Sequence, residues 1–410
     1  MEEVEREDNQ QVLRVLELLK EASHDLQSNP SQLVTESNSS AIKALLELET
    51  ESGTILSDQN LNQLSQHLSH LKTLVETLHK TRGHSLRSFL RRRVSTHQIT
   101  RVAESIESEL QAWIDRESIE SLVKRLHGLP SESPDSDEES ELIHLLTQFR
   151  DRVSQGFNRE LQDLVLKSGI FSELETFLCN PDHSKKLREE SAFTIEALIR
   201  FNKNVFVGQV WMGPTIKALV SMASGSSLEV LCSLIKSIKS PLVDEIEAND
   251  AIPSIIRFLS SEDLAIQVLG FNCVLEIGYF GRKEAIEAMI REELIQRLVE
   301  MQRSELGGDL IEVGKCEEEE EEEEHRGERE TEEGERKQRR NRGERESYLE
   351  KHPFASCVAR FAVQLEVGEG LRQREKRAFK QEILKKVGEA SVSDAEAATI
   401  QAEVLWEYGV

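Results

Sequence analysis

Histidines, cysteines and arginines are the residues whose grouping bears on chemistry in this chain. His67 and His70 stand three residues apart, so a helix through them places both imidazoles on one side, close enough to share a metal ion. No Asp, Glu or Cys beside them completes a ligand set, and they read as solvated histidines on the rim of an apolar stripe. Cys179, Cys232, Cys273, Cys316 and Cys357 are spaced roughly forty residues or more apart, with no CxxC pair and no histidine placed to finish a zinc site. Their odd number suits a reducing compartment better than a disulfide-stapled secreted domain.

Phosphate chemistry has no frame here either. No Gly-rich run ends in Gly-Lys followed by Ser or Thr, and the Gly368-Glu369-Gly370 sequence lacks both the preceding strand and the third glycine of a dinucleotide turn. It reads as a turn between helices. HExxH, GxSxG and kinase-type sets are also missing, so the expectation is a non-enzymatic protein with no cofactor and no bound metal.

One cationic cluster stands out. Arg82, Arg87, Arg91, Arg92 and Arg93 put five positive charges within twelve residues, and Arg92-Arg93-Val94-Ser95 is an arrangement that an acidic kinase cleft can recognise. Ser95 and Thr96 fall where the next long helix is expected to begin. A phosphate there would meet unpaired backbone N–H groups and the arginines, which makes Arg91, Arg92, Arg93 and Ser95 a candidate regulatory patch. The alternative is a solvated corner balanced by Glu104 and Glu107. Arg82 to Arg93 is also the place for weak peripheral contact with an anionic membrane.

These residues sit in a chain of 410 amino acids, long enough for one or two folded units and flexible inserts. Aromatic residues are only 5%, while Leu, Ile, Val, Ala and Glu recur at helical spacings, so sheets are not expected. The net charge of −25 opposes unspecific contact with nucleic acid, and no direct nucleic-acid binding is expected. The acidic start has no apolar core behind a basic region, and no apolar run approaches the roughly 20 residues needed to span a bilayer. The expectation is a soluble protein of the cytoplasm, with the nucleus as a second setting.

The elements that would position such groups follow from periodicity. Val12, Leu16 and Leu19 predict a helix ending before Pro30, and Ile42, Leu45 and Leu46 a second short one. Leu61, Leu64, Leu68, Leu71, Val75 and Leu78 form one seam of a bundle or coiled coil. A long helix from His97 to Leu126 presents Ile99, Val102, Ile106, Leu110, Trp113, Ile119 and Leu122, and Gly128, Pro130 and Pro134 end it. This predicts an N-terminal helical bundle over 1–130 and an acidic linker over 131–140. Leu142, Leu146, Phe149 and Val153 then open a new pattern.

Four segments superimpose on one another, with first anchors Ile170, Met212, Ile252 and Leu294 at intervals of 42, 40 and 42 residues. Four positions on stand Leu174, Ile216, Ile256 and Leu298, and seven on stand Phe177, Leu219, Leu259 and Met301. All are apolar. In a helix these offsets share one face, and stacking such faces builds the continuous core of a solenoid. The interval fits armadillo or HEAT units rather than shorter repeats.

Between the third and fourth anchors, SEDLAIQVLGFNCVLEIGY supplies a long apolar helix and GRKEAIEAMI a shorter polar one. The run AIPSIIRFLSSEDLAIQVLGFNCVLEIG resembles an armadillo repeat unit, and the chain as a whole is similar to plant armadillo-repeat proteins, some of which are U-box ubiquitin ligases. No U-box pattern occurs between 130 and 165, where that family carries it. The resemblance therefore implies the repeat fold and a protein-binding scaffold or adaptor, with a noncatalytic role in ubiquitination as the alternative. Armadillo proteins of the nuclear-import type hold basic peptides with an Asn ladder on the third helix. The matching positions here are Arg200, Ser237 and Glu276, so the ladder is absent. The resemblance implies a concave face for a protein or extended peptide, with Arg200, Lys236, Ser237, Lys239 and Glu276 as candidate contacts.

Repeats are expected over 141–316. Residues 317–346 carry fifteen Glu against eight Arg or Lys, a local charge of −7 that cannot repay the entropy of folding, so they read as a disordered acidic insert. Phe354, Val358 and Phe361 resume an apolar face, Phe379, Ile383 and Val387 continue it, and Ser393 to Glu396 offers a capping box before Ile400, Val404 and Trp406. Residues 347–410 are thus expected to complete the last repeat and cap the solenoid. The fold class expected overall is all-α, a helical bundle followed by an armadillo-type α-solenoid.

Overall fold

The computed structural model describes residues 20–21, 23–24, 62–80, 86–128, 136–307, 349 and 351–406. All regular structure among them is helical. The helices expected around Val12 and Ile42 and the acidic insert 317–346 lie outside the described residues, apart from one helical turn at Lys20, Glu21, Ser23 and His24.

The chain forms two compact units, Met1–Gly128 with Asn158–Ile170, and Leu129–Phe157 with Phe171–Val410. In the first, α1 (Asn62–Lys80) packs on α2 (Leu86–Gly128), and α4 (Arg159–Ser168) packs on α2 as well. Leu68, Leu71 and Leu74 meet Ile99, Val102, Ile106 and Leu110 in the buried layer of this unit. Leu74, outside the expected seam, is buried as well. Trp113 is only half-buried, and Ile114 takes the inward place. The turn at Lys20 docks here too: Ser23 Oγ donates to the Ala103 carbonyl at 2.8 Å, and Lys20 Nζ to Gln111 Oε1 at 2.5 Å.

Helix α2 begins at Leu86, eleven residues before its expected start, because the arginine-rich run holds no Gly or Pro and arginine is a good helix former. Ser95 consequently lies inside a continuous helix. The unpaired N–H groups expected to greet a phosphate are not there.

The second unit opens with α3 (Ser136–Ser154), so residues 136–140 of the expected linker are its first turn. Asp137, Glu138 and Glu139 suit that position, since carboxylates are stabilised beside the positive end of a helix. There follow α5 (Ile170–Cys179), α6 (Lys185–Phe201), α7 (Lys203–Met212), α8 (Thr215–Met222), α9 (Gly225–Ile238), α10 (Ser240–Ala248), α11 (Ile252–Phe258), α12 (Leu264–Phe280), α13 (Lys283–Arg291) and α14 (Leu294–Arg303). The last three are α15 (Cys357–Val367), α16 (Gln373–Ala390) and α17 (Asp394–Trp406).

A short helix, a long one and a short one recur in turn. Each long helix starts on a residue able to cap it. Ser184 Oγ accepts from Leu187 N at 3.2 Å, Ser224 from Ser227 N at 3.1 Å, and Asp263 from Ala265 N at 2.8 Å. Of the twelve anchor positions, Ile170, Leu174, Phe177, Ile216, Leu219, Ile252, Ile256, Leu259, Leu294, Leu298 and Met301 are all buried. The twelfth, Met212, closes α7 instead of opening α8, because Gly213 and Pro214 break the chain there.

The long helices lie side by side. Helix α3 packs on α6, α6 on α9, α9 on α12, α12 on α15, and α15 on α17. Bonds between units therefore recur at separations near one repeat: Thr215 Oγ1 to Glu175 Oε1 at 2.5 Å, Arg150 to Glu190 at 2.9 Å, and Ser240 Oγ to the Phe280 carbonyl at 2.7 Å. This is solenoid packing, in which each unit buries its face on the next.

The row continues on both sides of the insert. Cys357 Sγ lies 3.0 Å from the Leu298 carbonyl, Val358 N donates to Gln302 Oε1 at 3.4 Å, and Phe354 N to the Leu306 carbonyl at 3.3 Å. Gly368-Glu369-Gly370 clips the loop after α15 to the end of α12. Glu369 N donates to the Tyr279 carbonyl at 2.8 Å, and Gly370 approaches the Gly281 backbone so closely that a Cβ would stand 2.1 Å from its carbonyl oxygen. Lys376 is buried beneath, its ammonium donating to the Glu366 and Gly368 carbonyls at 2.5 and 2.9 Å and satisfying the end of α15.

Candidate functional site

Helices α6, α9 and α12 are covered by neighbours over most of their surface, and each shows solvent a narrow strip along the row. The side chains on these strips form a ladder across the repeats. Arg150 of α3 pairs with Glu190 of α6, and its guanidinium lies 5.5 Å from the Phe193 ring centre. Glu196, nearly buried on α6, pairs with Arg200 at 2.7 Å and also accepts a hydrogen bond from Ser233 of α9, while Arg200 donates to Ser233 Oγ at 3.0 Å. Lys236 of α9 meets Glu276 of α12 at 3.3 Å. Lys239 reaches Glu369 at 3.0 Å and lies 5.5 Å from the Phe280 ring centre. At the far end Arg360 of α15 sits 4.8 Å from the Phe271 ring and donates to the Pro353 carbonyl at 2.7 Å.

The structure thus brings Arg200, Lys236, Lys239 and Glu276 into one strip, with Ser237 half-buried on the same helix as Lys236. Counted from its anchor, each repeat contributes its second, long helix to the row, and Arg200, Lys236, Ser237 and Glu276 stand on these, with Lys239 capping the end of α9. The reason is burial: a long helix sandwiched between two equivalents has only one edge left for charge.

Several partners escaped the sequence reading. Glu196 was within reach of it, standing four residues before Arg200 on one helix face. Ser233 was legible only from a correct repeat register, and Glu369, from the loop after the insert, carried no local signal at all. The Coulomb gain of these pairs is small, because Arg200, Lys236 and Lys239 are largely exposed to water. What the pairing does is define the order of charge along the strip, cation beside anion from α3 to α12.

A hollow of about 660 Å³ lies among α13, α14 and α16, lined by Ile290, Ile295 and Phe379 together with Glu293, Glu382 and Lys386. Its rim is internally paired, Lys386 with Glu389 at 3.0 Å and Lys283 with Glu287 at 3.3 Å. The Lys386 ion pair holds the Glu389 carboxyl below the usual carboxylate range.

Arg91, Arg92, Arg93 and Ser95 stand on α2 near its N-terminal end, and their side chains lie outside the described residues; Val94 among them is exposed. His67 and His70 stand on α1. Among the described residues no group of three or more His, Cys, Asp or Glu side chains is placed to hold a metal, and no helix is long and apolar enough to cross a membrane.

The sequence matches no protein-family model and no curated protein. Among solved structures it is similar to a designed armadillo repeat protein at 15% identity, with a TM-score of 0.38 and coverage of 70% of this chain and 98% of that one. A designed armadillo repeat protein in complex with a (KR)4 peptide matches at 14% identity and a TM-score of 0.40, over 70% of this chain and 98% of that one. An engineered structural-genomics target matches at 14% identity and a TM-score of 0.40, over 96% of this chain and 98% of its own. At such similarity the fold of the chain rests on its own helix order and packing.

Proposed function

We propose that the chain is a non-catalytic, armadillo-type binding scaffold that holds an extended protein segment along the row of long helices. The observation that carries this is the strip itself. Five helices contribute to it, and its charged side chains are registered one repeat apart, as a ligand with an extended backbone requires. A strip of alternating sign favours a segment of mixed charge over a uniformly basic one, since Arg150, Arg200, Lys236 and Lys239 are already matched by anions and an incoming group must exchange with them. On this reading the protein acts in the cytoplasm or nucleus.

The test uses the full chain on arrays of extended peptides that vary the order of acidic and basic residues. A doubly reversed variant, K236E with E276K, keeps an ion pair at the α9–α12 step while inverting its direction. The expected result is a defined subset of bound peptides whose charge order inverts in the variant, with an unchanged unfolding midpoint. Equal binding to all charge orders, or a preference indifferent to the reversal, would sink the proposal.

A further inference from the structure

The repeat interval gives a second meaning to the cysteine spacing. Cys232 on α9 and Cys273 on α12 are 41 residues apart, one period, so stacking brings them face to face with Sγ atoms separated by 2.6 Å. The arrangement is reciprocal. Cys232 Sγ lies 3.8 Å from the Leu269 carbonyl, one turn before Cys273, and Cys273 Sγ lies 3.6 Å from the Leu228 carbonyl, one turn before Cys232. Both sulfurs therefore point across the same interface, and both are free thiols.

We propose that Cys232 and Cys273 are a modification site, an oxidisable dithiol in which peroxide forms a disulfide between consecutive repeats. The sulfurs are already within contact distance and the two side chains share one interface, so the bond would form across a single helix–helix contact. The two cysteines are not equivalent. Cys273 is fully enclosed, and its hydrogen bond with Cys232, together with burial, raises its thiol well above its ordinary range. Cys232 keeps 7% of its surface open and is the entry point for a molecule as small as hydrogen peroxide.

In the first step the Cys232 sulfur attacks one peroxide oxygen, the O–O bond breaks, and a sulfenic acid and water are produced. In the second the Cys273 sulfur attacks the Cys232 sulfur, the S–O bond breaks, and the departing hydroxide takes the Cys273 proton to leave as water. Two thiols are oxidised by two electrons and one peroxide is reduced to two waters. The bond would tie α9 to α12 beside Ser233, Lys236 and Glu276, fixing the step of the ladder at which those residues meet. Its formation does not depend on the ligand proposed above.

The experiment treats the full-length protein with graded hydrogen peroxide, alkylates remaining thiols, and digests it with trypsin without reduction. Cys232 falls in peptide 218–236 and Cys273 in peptide 258–282, neither of which holds another cysteine. The expected product is these two peptides joined, lost on treatment with dithiothreitol, and accompanied by a reversible rise in unfolding midpoint on the order of 5 °C. The mapping needs no variant, and Cys232→Ala, a small loss of volume, should abolish the joined peptide. Conversion of Cys232 to sulfinic or sulfonic acid with Cys273 still a thiol would overturn the proposal. So would full recovery of both as alkylated thiols at peroxide levels that oxidise half-buried Met222.

Discussion

His183 shows how one side chain can report on the packing around it. It stacks on Phe177 with ring centres 4.4 Å apart, is buried, and its Nδ1 has no hydrogen-bond partner. Burial lowers its pKa, a trend that Asp182 opposes, Arg188 reinforces and Glu139 opposes. The unfolded chain therefore binds a proton that the folded chain resists. Stability from this group is complete above the ordinary imidazole value of about 6.5 and is lost as pH falls from there through the depressed folded value. We predict that His183→Phe, which keeps the ring against Phe177, flattens the decline in denaturant midpoint between neutral and mildly acidic pH. Parallel pH profiles for the two proteins would show that His183 contributes nothing to it. No residue pattern in the sequence marked His183, because its neighbours come from three separate helices and the loop between two of them.

At the level of elements, the anchor helices and the loop clip make separable demands. Ile256 and Leu259 are almost wholly buried on α11 and at its end, so truncation of either to Ala should cost about 2–5 kcal/mol through lost apolar contact and an unfilled cavity. Denaturant midpoints measure this, and wild-type values would mean that the repeat register is wrong. Gly370 tests the clip instead. An added methyl meets the Gly281 carbonyl, which is backbone and cannot swing aside, so Gly370→Ala should destabilise by about 1–3 kcal/mol. The loss should appear in hydrogen exchange first at α15 and the end of α12, the elements the clip joins; uniform loss across α6 to α15 would argue against a local clip. The glycines were visible as a turn signal, but their close approach to residues 279–281 depended on which helices the turn brought together.

For the repeat unit as a whole, the row of long helices implies cooperation across the insert. Helix α15 packs on both α12 and α14, and Cys357 and Val358 engage carbonyl and amide groups of α14. Their amides should therefore exchange through one common opening despite the long stretch of chain between Arg303 and Cys357. Native-state exchange against denaturant would reveal this as merging isotherms for the two helices. Isotherms that stay apart up to global unfolding would instead place a cooperative boundary at the insert.

How much of this was legible depends on the range of the interaction concerned. Apolar spacing at three and four residues makes a helix amphipathic wherever it occurs, so the helical class, the anchor set and the repeat interval near 41 residues could be read directly from Ile170 onward. The interval also carried the pairing of Cys232 with Cys273, had the cysteines been laid on the repeat grid. Helix ends were less legible: α2 runs back to Leu86 because propensity there outweighs charge, and Met212 falls on the far side of a Gly-Pro break. Partners from distant segments were not legible at all. Lys239 meets Glu369, and Lys376 caps α15, only after the chain on the far side of the insert has packed onto the row, and local periodicity contains no term for that closure. Sequence alone therefore determined the repeating helices and the faces they bury, whereas tertiary packing decided which charges stand together, since that depends on neighbours that stacking supplies.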